Sequence, residues 1–182
     1  TYYVLPFGKG NTKENPEYRH FWKQIYNEVK PEIVHIHGTE CSHGLAYMHE
    51  IGVDNVVVSI QGLTSAVSKY YTSGISRFDI LKNITLRDLL RGSILADKRR
   101  FKKRSKYEAE MVKMAKYVIG RTSWDKAMMW ALNPSAEYHF CNEVLRAEFY
   151  DGSMWDFKKC KKHTIFLSQA SYPIKGLHQL LK

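Results

Sequence analysis

Two histidines separated by one residue, His35 and His37, lie in the run Val34-His35-Ile36-His37-Gly38, and Thr39, Glu40 and His43 follow closely. On an extended chain alternate side chains share a face, so both imidazoles point the same way, and Gly38 permits a sharp turn just after them. Imidazoles, a hydroxyl and a carboxylate at this spacing suit hydrogen bonding to a hydroxyl-rich ligand and proton transfer near neutral pH. The competing reading makes one histidine a satisfied core residue and leaves the others in solvent. A metal site through His35, His37 and His43 lacks a convincing carboxylate ligand set, so no metal is expected.

Two further segments have the same build. In Ser59-Ile60-Gln61-Gly62-Leu63-Thr64-Ser65 an apolar run ends in an amide, a glycine and hydroxyls. Gln61 suits a sugar hydroxyl or a phosphoryl oxygen, or else it is a turn residue bonded to its own loop. In Ile119-Gly120-Arg121-Thr122 an arginine stands beside a helix-opening threonine, and the free amides of a helix start favour an anion. Arg121 could equally pair with Asp125. The fourth cluster is purely basic: Lys98, Arg99, Arg100, Lys102, Lys103, Arg104 and Lys106 surround Phe101 with no acid among them. It is read as a segment joining two helices. Three readings stay open: a solvated face, contact of residues 98 to 104 with an anionic membrane or lipid-linked phosphate, and nucleic acid. No helix-turn-helix, zinc-finger, RNP or KH signature accompanies the charge.

The elements that position these residues alternate between short β-branched runs and stretches of helical period, the pattern of an α/β fold built on a parallel sheet. Tyr2 to Leu5 reads as a first strand, broken by Gly8, Gly10 and Asn11, and Glu17 to Val29 as a helix with Phe21, Trp22, Ile25, Tyr26 and Val29 on one face. Ile33 to His37 and Val56 to Ile60 are apolar enough to be central strands buried on both faces, with a helix from His43 to Glu50 between them. Thr85 to Asp88 and Thr122 to Asp125 have capping-box spacing and open helices. Strands are expected over Tyr117 to Arg121, Tyr138 to Cys141 and Thr164 to Leu167, and a last helix after Lys175. A polar, basic stretch over 151 to 163 reads as a crossing between two domains, residues 1 to 162 and 163 to 182.

Composition narrows the class. The 182 residues carry 28 Lys+Arg against 18 Asp+Glu, a net charge of +10, and are 44% hydrophobic, enough for one sizeable core and an anionic partner. No run approaches the roughly 18 apolar residues of a membrane span, and the start lacks the layout of a signal peptide. Cys41, Cys141 and Cys160 form no C-x-x-C pair, and their odd number suits a reduced, cytoplasmic compartment. A chain that opens in a strand and stops after a short helix reads as a piece of a longer protein.

Together, P-E-I-V-H-I-H-G-T-E, V-V-V-S-I-Q-G-L, Y-V-I-G-R-T-S-W-D, H-F-C-N-E-V-L-R and I-F-L-S-Q-A-S-Y-P-I-K-G-L-H resemble, in order and spacing, the amino-terminal half of a retaining glycosyltransferase of family 4. The resemblance runs from Tyr2 onward. It implies half of a GT-B architecture: a Rossmann-like acceptor domain lacking its first strand, then the opening strand and helix of the nucleotide-sugar domain. His35, His37, Glu40, Gln61, Arg121 and Thr122 would line the acceptor side. Lys175 matches the family lysine that contacts the donor diphosphate, and Gln169 stands where the family often has an arginine. The implied activity is sugar transfer from a nucleotide-sugar to a bacterial cell-surface glycan or polyprenyl-linked acceptor. It proceeds with retention, without cofactor or bound metal, on the inner face of the membrane, and the fragment alone is expected to be inactive. The rivals are a basic nucleic-acid-binding module and a non-catalytic sugar-binding protein of the same fold.

Overall fold

A computed structural model describes residues 2–5, 18–167 and 173–181. Its centre is a four-stranded, wholly parallel sheet in the order β1 (Val34–His37), β2 (Val56–Ser59), β3 (Tyr117–Gly120), β4 (Glu137–Phe140). Helix α1 (Arg19–Val29) precedes β1; α2 (His43–Ile51) links β1 to β2; α3 (Thr64–Tyr70), α4 (Arg77–Lys82), α5 (Leu86–Arg91) and α6 (Ile94–Met114) link β2 to β3; α7 (Ser123–Leu132) links β3 to β4. The chain is therefore α/β and Rossmann-like, as its alternation predicts. Beyond β4 come α8 (Ala147–Asp151), two 3-10 turns (Phe157–Lys159 and Pro173–Lys175) and the single turn α9 (Leu177–Leu180).

Helices α1, α2, α6 and α7 contact one another in succession, and α3 packs on α6. Strands taken in sequential order through right-handed crossovers place every crossover helix on the same face. Ile36, Val56, Val58 and Val118 face that layer and join Leu45, Met48, Met111, Val112 and Met129 in one core. Each fully buried side chain of this kind contributes about 1.5–3 kcal/mol. Gly44 lets α2 approach the sheet: a Cβ there would lie 2.6 Å from Ile36 Cγ2 and 3.3 Å from the Met111 methyl. The opposite face is open. His35, His37 and Tyr117 are exposed, and Val57 and Ile119 are half-buried. The expectation of strands buried on both faces is thus corrected.

Both capping boxes form. Thr85 and Asp88, and Thr122 and Asp125, bond reciprocally at the starts of α5 and α7. Two expected strands do not. Tyr2 to Leu5 has no ladder; Tyr3, Val4 and Leu5 instead border a crevice with Phe21, Ile25 and Glu28 of α1. A hydrogen bond from Tyr3 to Glu28 holds the phenol above its usual pKa. Thr164 to Leu167 is likewise irregular, with Ile165 and Phe166 exposed. A β-prone run that joins no ladder gains nothing from extension. Gly8, Gly10, Asn11 and Gln169 lie outside the described residues. The basic segment is also corrected: residues 98 to 106 do not join two helices but lie inside α6, 21 residues long. Lys and Arg are good helix formers, and nothing between the Ser93 N-cap and Met114 interrupts them.

Candidate functional site

In an open parallel sheet the ligand crevice forms at the carboxyl ends of the strands. Here β1, β2 and β3 end in His37, Ser59 and Gly120, with Ser59 in register with His37 on one side and with Ile119 on the other. The backbone turns away at Gly38, whose φ of +88° lies in the region that favours glycine. An open cleft of about 470 Å³ results, lined by His35, His37, Ser59, Gln61 and Arg121 and closed on its far side by residues 141–144. Its size lies within the range of small-molecule sites.

The two imidazoles share the open face as the strand period requires, with ring centroids 5.5 Å apart and planes at 86°. Neither is a core residue. His35 Nε2 and the Ser59 hydroxyl share a hydrogen bond of 2.6 Å. The Gln61 side-chain amide is bonded to His37 Nε2. With the amide NH2 as donor, the His37 ring proton sits on Nδ1. Each imidazole is thus oriented by a neutral partner on the adjoining strand or loop, and each leaves an edge to the cleft. Gln61 is accordingly a cross-strand partner of His37, not a turn residue bonded to its own loop.

Arg121 crosses the mouth of the cleft. Its Nη2 donates to the Gln61 carbonyl at 2.6 Å and its Nη1 pairs with Glu143 at 2.7 Å. The pairing with Asp125 takes another form: the Arg121 backbone N–H donates to Asp125 Oδ2 at 2.7 Å, leaving the guanidinium for the cleft. Thr122 is set apart. Its hydroxyl caps α7 and its carbonyl accepts from Tyr138 Oη at 3.0 Å, so it supports the strand end and does not line the cleft. Burial holds the Tyr138 phenol above its usual pKa. Glu40 lies beside Gly38 on the rim without lining the cleft. His43 opens α2, and partial burial of its ring lowers its pKa while the Glu40 charge opposes the shift. Lys175 is exposed in the Pro173–Lys175 turn, ahead of Gly176 and α9, and does not line the cleft either. Among the described residues no three His, Cys, Asp or Glu side chains converge on a metal position. Among the same residues no helix is long and apolar enough to cross a membrane.

One residue that organises the site is absent from the sequence-based set. Glu108 of α6 is fully buried. It accepts from Thr39 Oγ1 at 2.9 Å, from the Thr64 N–H at 2.8 Å and from the Ser65 N–H at 2.8 Å. One carboxylate therefore ties the loop after β1 to the start of α3, satisfying amides that a helix start leaves without partners. Its signal was its position: Glu108 precedes Met111 and Val112 by three and four residues, on the apolar stripe of the helix. Glu143 gave no comparable signal. The chain matches no known protein family, no curated protein and no solved structure. The cleft is therefore interpreted from its own chemistry.

Proposed function

We propose that this chain is the acceptor-binding half of a retaining glycosyltransferase, which passes a sugar from a nucleotide-sugar donor to a cell-surface glycan or lipid-linked acceptor. One observation carries the reading: the carboxyl ends of three parallel strands bring two exposed imidazoles, an amide and a guanidinium around a single open cleft. The order of sequence segments supports it. Saccharides present dense, neutral donors and acceptors, and imidazole edges with an amide match them. His35 and His37 bind and orient acceptor hydroxyls, His37 through the Nδ1–H that its bond from Gln61 leaves to the cleft. Arg121, held between the Gln61 carbonyl and Glu143, places a guanidinium at the mouth, where it can exchange Glu143 for a departing diphosphate that gains charge as the bond breaks. Lys175 and Gln169 keep the part of donor-phosphate contacts in this proposal.

The test is a titration of the protein with oligosaccharides and polyprenyl-phosphate-linked sugars, following the imidazole resonances by NMR. Saccharide binding should shift His35 and His37 together. His37→Ala should weaken binding by about tenfold or more, the scale of a lost hydrogen-bonding pair, with little change in melting temperature because the ring is exposed. A large loss of stability with unchanged binding would return His37 to a structural role. Saccharide binding without transfer from any nucleotide-sugar, in a chain carrying its donor half, would leave a sugar-binding protein.

A further inference from the structure

The geometry points to a second functional surface, independent of the cleft: α4 and α5 lie in the headgroup region of an anionic bilayer, with the basic flank of α6 on the lipid phosphates. These two helices add little to the core. Ile80 is the buried residue of α4, and α5 has none. Their large apolar side chains point outward: Phe78 is 72% exposed, Leu81 59%, Leu86 79%, Leu89 72% and Leu90 86%. Phe78 and Leu81 are three apart, and Leu89 and Leu90 are three and four from Leu86, so each helix carries its apolar stripe on the solvent side. Isolated exposed leucines are ordinary. A cluster at helical spacing on adjoining helices marks an interaction surface.

Charge selects the occupant. Residues 77 to 106 hold eleven basic residues against Asp79, Asp88 and Asp97, so this stretch carries +8 of the chain's +10. All three acids are engaged, Asp79 and Asp88 with the N-caps Ser76 and Thr85, and Asp97 with Arg100. Basic and apolar groups adjoin: a Cβ on Gly92, just after α5, would lie 3.7 Å from Arg100 Nη1. A second copy would bring +8 against +8, and a nucleic acid has no use for a leucine stripe. A bilayer with anionic headgroups meets both features, because apolar residues enter the acyl boundary while lysines and arginines bind phosphates. Phe101 is not the apolar anchor. Its ring packs on the buried Tyr71, with centroids 4.9 Å apart, so the expected membrane contact through Phe101 is replaced by α4 and α5.

Flotation with phosphatidylglycerol/phosphatidylcholine vesicles and with pure phosphatidylcholine vesicles tests this. The protein should float with the anionic vesicles only, and less at high salt. The triple variant Leu86→Ser/Leu89→Ser/Leu90→Ser should lower partitioning by about tenfold or more, given the apolar area withdrawn from the interface. Arg99→Gln/Lys102→Gln/Lys103→Gln should lower it comparably. Circular dichroism checks folding, and if the triple variant unfolds, Leu90→Ser alone should still weaken binding about twofold or more. Any of four results would overturn the proposal: leucine variants that bind like wild type, equal binding to neutral vesicles, tighter binding to a DNA duplex than to vesicles, or a leucine-dependent dimer.

Discussion

Replacing Glu108 with alanine removes the acceptor for three donors, two of them backbone amides at the start of α3 and the third the Thr39 hydroxyl. The site is fully buried, so water does not readily replace the lost oxygens. An orphaned buried donor costs about 1–3 kcal/mol, and collapse of the loops onto the vacated space recovers part of it. A net loss of about 3–5 kcal/mol is expected. For a chain of this length each kcal/mol lowers the melting temperature by about 2–4 °C, which gives a drop on the order of 10 °C. Glutamine is the more informative change. Placing its oxygen where Oε2 stands keeps the bonds from Thr39 and Thr64, but its NH2 then faces the Ser65 N–H, donor against donor. The expected loss is about 1–3 kcal/mol, intermediate between wild type and alanine. Because Thr39 and Thr64 flank the turns that carry His37 and Gln61, both variants should also loosen the His37–Gln61 pair, visible as averaging of the His37 ring resonances. Thermal and urea denaturation measure the stability. Both variants melting within 2 °C of wild type would refute the argument that this carboxylate organises the two loops.

Two further outcomes follow from buried or partly buried polar groups. Asn133 Nδ2 donates to the carbonyls of Val112, Lys113 and Ala115 at 2.9–3.1 Å, closing the end of α6; Asn133→Leu should cost about 1–3 kcal/mol in urea denaturation, and an unchanged midpoint would discount that cap. Burial lowers the His43 pKa from its ordinary 6.5, so the unfolded chain takes up that proton first and stability from this group falls as pH drops below 6.5. His43→Gln should flatten the stability profile there, Glu40→Gln should steepen it because the opposing charge is gone, and identical profiles for all three proteins would remove His43 as the source.

Local chemistry was legible in the residues themselves. The shared face of His35 and His37 follows from the two-residue period of a strand, and both capping boxes follow from a hydroxyl and a carboxylate three residues apart. The α/β alternation was legible for the same reason, since helical and strand periods depend only on neighbours along the chain. What neighbours in space supply was not. Tyr2 to Leu5 and Thr164 to Leu167 have strand composition but pair with no strand of the sheet, whose outer edges at β1 and β4 they do not reach in a ladder. Val57 and Ile119 are apolar yet only half-buried, because sequential strand order puts the crossover helices on the other face. Residues 98 to 106 showed their charge but not that Phe101 turns inward onto Tyr71 while the leucines of α5 turn outward. Glu108 and Glu143 act through partners 43 to 69 and 22 residues away, respectively. Such pairings arise only when helices and strands pack, so the sequence determined which groups were available and the tertiary structure decided which of them meet.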